Sequence, residues 1–409
     1  MSRRINIELE TVKHLTAQDE LALVQAAYAR NPSPTMRWRL ASLLVLNDDA
    51  KAVTALLSGQ ADLGPREEMT LAQAWLAHES AEGDAGAWAA TDRAFALSEQ
   101  DEERAAALAL RAKAETRMGD VDAARATLTQ ALALDPHNKD ACKRLATLAL
   151  AAGDTGAVLA MYDDLAAKGA AHSRLFAAKA LAHAHRDERD QVRTMMGADD
   201  FFRAAKLPPP AGWDSIESFN AALAEELMTH PGLRFDRYGT ASELTWRIDS
   251  PLSRAAPLVR VLLDTIADAI NAHVERVGGV DHPWAAARPT DATLRAWCVI
   301  TESDGFENWH VHQFGWLSGA YYVRVPDSIA NGDTEAGCIA LGLPEDLAGE
   351  EAAAAYGTNV VRPQNGLCLM FPSHTYHRTF PHGVRDRRIC VAFDLKPRIA
   401  MADEEAEAA

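Results

Sequence analysis

The chain of 409 residues has only five cysteines, Cys142, Cys298, Cys338, Cys368 and Cys390, and no C-x-x-C pair. Such spacing excludes a disulfide frame and reads as buried, reduced thiols of a cytoplasmic protein. No apolar run reaches the roughly 18 residues that a membrane-spanning helix requires. The N-terminal MSRRINIELE is not followed by the apolar stretch of a secretory leader. Basic residues are scarce, 41 against 58 acidic ones, for a formal net charge of −17. That balance argues against general nucleic-acid binding, which needs clustered cations to neutralise phosphates. G-x-S-x-G, the phosphate loop G-x-x-x-x-G-K-[ST], G-x-G-x-x-G after a strand and H-E-x-x-H are all absent.

What is present changes character near residue 195. Before it the chain is rich in Ala, Leu, Glu, Asp and Arg and reads as successive helices. Gly119-Asp120 and Gly153-Asp154 repeat at a spacing of 34 residues, the period of a tetratricopeptide repeat. Leu108, Ala112, Ala124, Leu128, Ala131 and Pro136 fall at packing positions of that repeat, and ALALDPHN reads as its terminal turn. A looser copy follows with Leu145, Ala146, Val158 and Tyr162. Gly83-Asp84 suggests a degenerate earlier copy, and helices near 17–30 and 35–46 another. Stacked helix pairs of this kind bury a face that one pair cannot.

After residue 195, FNAALAEEL and Leu258 to Val277 have helical periodicity. Six short segments then read as strands: LRAWCVIT, WLSGAYYVRV, GCIALGL, NVVRP, GLCLMFP and RRICVAFDL. Gly, Pro, Asn and Asp divide them and no long helix separates them, the pattern of an antiparallel sandwich or barrel. Within this region stand His310-Val311-His312 and, much later, His377. In an extended strand, H-x-H places two imidazoles on one face, and a third from another strand can complete a cap on a metal. The expected architecture is multidomain, α then α+β. It comprises a tetratricopeptide-like α-solenoid over 1–194, a jelly roll with supporting helices over 195–398, and an acidic, disordered tail over 399–409.

The order N-x-H-x-H (Asn308 to His312), L-S-G-x-Y-Y-V (Leu317 to Val323), F-P-S-x-x-x-H (Phe371 to His377) and R-I-x-x-A-F (Arg388 to Phe393) resembles the bacterial 2-oxoglutarate/Fe(II) oxygenase family. That family is a double-stranded β-helix often fused behind tetratricopeptide repeats, and the likeness covers about residues 200–397. It implies an oxygenase that uses Fe(II), 2-oxoglutarate and O2 to hydroxylate a C–H bond, releasing succinate and CO2. His310, His312 and His377 would hold the iron and form the catalytic centre. Arg388 would grip the far carboxylate of 2-oxoglutarate, with Tyr322 and Ser318 facing the same way. Strand alternation puts Arg388, Cys390, Ala392 and Asp394 on one face and Arg387 on the other.

His312 stands where the wider superfamily has Asp or Glu. Asp304, Glu307 or Asp394 could bring a carboxylate, or two histidines could bind with water. His374 and His382 read as turn residues, Trp297 and Trp316 as core or pocket wall, and Cys390 as packing. The acidic run Glu345, Asp346, Glu350 and Glu351 reads as a solvated loop over the barrel mouth, able to form a lid. The repeats suggest a protein or peptide partner or substrate, with a small-molecule substrate as the alternative. Two other readings stand beside the enzyme: a repeat-based scaffold with a non-catalytic jelly roll, and a three-histidine cupin-like dioxygenase that needs no 2-oxoglutarate. No membrane or nucleic-acid partner is expected, and no feature of the sequence fixes an oligomeric state.

Overall fold

A computed structural model describes residues 4–235 and 241–398 of the chain. The tail expected at 399–409 lies outside the described residues. The chain divides into two compact units, one over Leu15–Ala170 and one that joins residues 4–14 to those from Ala171 onward.

The first unit is helical throughout. Its repeats are punctuated as the glycine-aspartate pairs suggest. Gly119 (φ +86°) and Gly153 (φ +73°) adopt the left-handed conformation that ends a helix. The aspartates that follow cap the next helices: Asp120 accepts from Ala123 N and Asp154 from Ala157 N. Leu108, Ala112, Ala124, Leu128, Ala131, Ala146, Val158 and Tyr162 are all buried. Gly83-Asp84 does not form the corresponding turn. Ser80 caps the helix Ala81–Leu97, and Gly83 lies in its first turn. A Cβ at Gly83 would come within 2.4 Å of the Trp75 carbonyl, so glycine there serves close helix approach.

The second unit is built on strands. They are β1 (Asn6–Leu9), β2 (Arg203–Lys206), β3 (Arg234–Phe235), β4 (Ser242–Glu243), β5 (Trp246–Ile248), β6 (Asp291–Thr301) and β7 (Phe306–Glu307). There follow β8 (Leu317–Arg324), β9 (Ile339–Leu341), β10 (Asn359–Val361), β11 (Leu367–Pro372), β12 (His377–Thr379) and β13 (Arg388–Pro397). The main sheet runs β2-β11-β8-β13-β6-β5-β3, with β1 parallel to β6, and a smaller sheet runs β10-β9-β12. The unit thus has the jelly-roll arrangement the strand pattern predicts. Ala320, Tyr322, Ile339, Leu341, Leu369, Phe371 and Cys390 form one buried cluster drawn from both sheets.

The supporting helices cover other surfaces of this unit. Helix Ile216–Met228 packs on β8, where the Tyr321 hydroxyl donates to Asn220 Oδ1 at 2.7 Å. Asn271, on helix Pro257–Val277, holds β1 by accepting from Ile5 N at 2.8 Å and donating to Ile5 O at 3.3 Å. Helices Ser173–Ala184 and Arg189–Met196 also belong to the strand unit, although their alanine-rich composition resembles the repeats. Ser173 Oγ donates to His312 O, and His374 Nε2 donates to Met195 O, both at 2.8 Å. The change in composition near residue 195 therefore falls inside the second unit.

Gly319, in the middle of β8, tests the tightness of this packing. A Cβ there would meet the Leu369 carbonyl at 2.2 Å and the Phe393 ring at 2.3 Å. Gly119→Ala meets nothing within 4 Å but strains a positive φ. We expect Gly319→Ala to cost about 3 kcal/mol or more and Gly119→Ala about 1 kcal/mol. Denaturant titration checks both, and equal losses would contradict the packing described.

Candidate active site

The three histidines meet through the main chain before their side chains are considered. His310 N donates to His377 O at 3.0 Å and His377 N donates to His310 O at 3.1 Å, an isolated antiparallel bridge. His312 N donates to Ser373 O at 3.0 Å. Residues 308–312 are outside the regular strands, so H-x-H is carried by bridging rather than by the strand the pattern suggests. The rings nevertheless converge. Centroids lie 5.1 Å apart for His310 and His312, 4.1 Å for His310 and His377, and 4.9 Å for His312 and His377. One ligand atom from each lies within 4.8 Å of the others.

The outer nitrogen of each ring has a fixed acceptor. His310 Nδ1–H donates to Asn308 O at 2.7 Å, and His377 Nδ1–H donates to Thr375 O at 3.0 Å. His312 Nδ1–H donates to Asp394 Oδ1 at 2.6 Å. Carbonyls and carboxylates only accept, so the proton of each neutral imidazole sits on Nδ1. The Nε2 lone pairs are then left for the shared space. His310 Nε2 and His312 Nε2 are 3.2 Å apart. Two lone pairs at that separation repel unless a cation lies between them. The donor set therefore fits a metal that accepts imidazole nitrogen, iron among them.

Asp394 is the carboxylate of this centre, and it works from behind. It bonds the far side of the His312 ring, and its Oδ1 also accepts from Ser318 Oγ at 2.6 Å. Ser318 Oγ lies 2.7 Å from Ser373 Oγ. Ser318, expected from the sequence as a co-substrate contact, donates to Asp394 and so helps to position it. Glu307 accepts from Ser242 Oγ at 3.0 Å and lies near enough to His310 for their charges to interact. Among the described residues the converging ligand cluster contains the three histidines and neither carboxylate. Asp304 is exposed.

Burial keeps the His310 and His377 rings neutral. It lowers His310 to about 4, opposed by Glu307 and aided by His312. It lowers His377 well below the usual imidazole range, aided by the charges of His310 and His312.

Deeper in the barrel, Arg388 is 3 % exposed. Its Nη1 donates to Gly337 O at 2.6 Å, while its Nε has no partner. Burial raises the Tyr322 hydroxyl, with Arg388 pulling the other way, so the two lie within electrostatic reach. An orphaned guanidinium N–H beside a neutral phenol matches a site for a carboxylate. Cys390 pairs with Tyr322 in register, and burial pushes its thiol up to about 12, a packing role. Arg387 points away, donating to Glu302 at 3.0 Å.

Trp297 is a wall of the centre, its ring edge-on to His312 at 5.2 Å, whereas Trp316 stacks on Trp284 at 4.2 Å in the core. His374 lies in a turn and His382 in a loop, and both are buried. The acidic run forms the short helices Glu345–Ala348 and Glu350–Tyr356. Glu345 accepts from Trp309 Nε1 at 2.7 Å and pairs with Arg378 at 3.6 Å, tying that segment to the residues that flank two ligands.

Residues 295–394 match the family model described as Putative 2OG-Fe(II) oxygenase. The strand-rich unit is a 2-oxoglutarate- and Fe(II)-dependent oxygenase domain. Residues 115–182 match a tetratricopeptide repeat, a stacked-helix architecture that commonly binds proteins. No curated protein matches the chain. Among solved structures, a Pseudomonas putida prolyl-4-hydroxylase is similar at 15% identity over 49% of this chain and 95% of its own, with TM-score 0.33. HygX of Streptomyces hygroscopicus, solved with nickel and 2-oxoglutarate, is similar at 14% identity over 51% and 87%, TM-score 0.33. A thermophilic tetratricopeptide-repeat protein of Thermus thermophilus is similar at 22% identity over 36% and 81%, TM-score 0.28. Among the described residues no helix of the oxygenase or its repeats is long and apolar enough to cross a membrane.

Asp394→Asn keeps the shape beside His312 and removes the charge. We expect roughly 10- to 100-fold weaker metal binding, read by competition with a chelating dye. Unchanged affinity would remove Asp394 from the centre. Metal-free oxygenase should also lose stability as pH falls from about 6.5 towards 4. The unfolded chain binds protons there that His310 (about 4) and His374 (about 3) refuse in the fold. Melting temperatures across that window in chelator should fall steadily; a flat profile would contradict neutral burial.

Proposed function

We propose that His310, His312 and His377 hold Fe(II) through Nε2, and that Arg388 with Tyr322 takes the far carboxylate of 2-oxoglutarate. One observation carries the reading: three Nε2 atoms face one space while every Nδ1 is committed to an acceptor. Bound iron supplies O2 activation coupled to decarboxylation of 2-oxoglutarate, so that substrate, 2-oxoglutarate and O2 give hydroxylated substrate, succinate and CO2.

The protein's own residues prepare this reaction. Asp394 fixes the His312 tautomer and sets a negative charge one ring away from the cation, where H-x-D proteins bind a carboxylate directly. Ser318 and Ser373 hold Asp394 in place. Arg388 is buried with a free N–H, so a dicarboxylate gains a charged partner without competing water. Small Cys390 and Ala392 on its strand leave room beside it. The helical repeats serve a protein or peptide partner. Five buried cysteines, none in a disulfide, agree with work in the cytoplasm.

The test is succinate formation from 2-oxoglutarate with Fe(II). His310→Ala should lose both metal retention and turnover. Arg388→Ala should raise the 2-oxoglutarate KM at least about tenfold, the loss of one charged hydrogen bond. Oxidation without 2-oxoglutarate that tolerates Arg388→Ala would instead favour a three-histidine dioxygenase. Absence of both metal and turnover would favour a scaffold.

A further inference from the structure

A cavity of about 310 Å³ opens in the oxygenase unit, and none of the three histidines lines it. Arg388 and Tyr322 do not line it. Phe371 and Thr375 belong to its wall and also to the surroundings of His377. The Phe371 ring is 4.8 Å from the His377 ring, and Thr375 O accepts from His377 Nδ1. Leu341, also in the wall, is the register partner of His377 across β9 and β12. Thr375 thus places the cavity on the outer, Nδ1 side of the His377 ring.

Its chemistry is selective. Its wall includes aromatic Phe202, Tyr356 and Phe371 and aliphatic Leu341, together with polar Thr358, Asn359 and Thr375. Arg193, on helix Arg189–Met196, is the charged side chain of the lining and has no ion-pair partner among the described residues. A space near the lower end of ligand pockets, roughly 300–1,000 Å³, suits one small molecule rather than a folded segment. Aromatic walls favour a flat apolar body, and an uncommitted guanidinium at the rim favours a carboxylate.

We infer that this cavity binds a small organic acid, an aromatic or alicyclic body bearing a carboxylate, behind His377 rather than in the space its Nε2 faces. This binding stands independently of the function proposed above. The experiment uses full-length protein and titration calorimetry with 4-phenylbutyrate and its uncharged counterpart, 4-phenylbutan-1-ol. The acid should bind at least tenfold tighter than the alcohol, and Arg193→Gln should erase that ratio. Asn359→Trp adds bulk at an exposed position of the wall and should weaken the acid at least tenfold. Saturating 2-oxoglutarate should not displace it. Equal binding of acid and alcohol, indifference to Asn359→Trp, or displacement by 2-oxoglutarate would each overturn the proposal. Succinate formation is measured separately. A chain that makes none yet keeps the tenfold ratio retains the binding site and loses the oxygenase reading.

Discussion

The arrangement of the oxygenase unit depends on one electrostatic constraint. Three imidazoles are turned so that their protons point outward, and their lone pairs share a small, partly dry space. Each outward proton is held by a group that can only accept: Asn308 O, Thr375 O and the Asp394 carboxylate. The tautomers are thereby fixed by the fold, which is how proteins usually preset histidine ligands. Repulsion among the inward lone pairs is relieved only by a positive charge, and the rest of the barrel surrounds that requirement.

Much of this was legible in the sequence. Glycine-aspartate pairs at a repeat spacing carry their own mechanism, a left-handed helix end followed by a side-chain cap, and Gly119 and Gly153 behave accordingly. The strand segments were readable because each is short and bounded by turn residues. Alternation along β13 correctly separated Arg388 from Arg387, since a two-residue period fixes which side chains face inward. Gly83-Asp84 shows the limit of the same reasoning. The dipeptide is identical, but there glycine answers to a neighbouring helix rather than to a turn.

What could not be read depends on contacts distant in sequence. β1 joins β6 across nearly three hundred residues, and no local pattern marks Asn6–Leu9 as part of a barrel. The helices from Ser173 to Met196 have repeat-like composition yet pack around His312 and His374, because alanine suits either environment. The work of Asp394 and Ser318 was hidden for a related reason. Alternation put Ser318 on the face of Tyr322, but four residues along a strand is more than about 12 Å, enough to move from the surroundings of Arg388 to those of His312. The one available signal was the paired register of Ser318 with Asp394, which is invisible until the strands are aligned.

The backbone bridge between His310 and His377 has a further implication. Two of the three histidines are tied by paired amide hydrogen bonds that need no ion to form. In zinc fingers, by contrast, the metal itself gathers the loops. Here main-chain pairing sets the spacing of two rings, so replacing either side chain removes a nitrogen donor and leaves intact the pairing that joins the two segments.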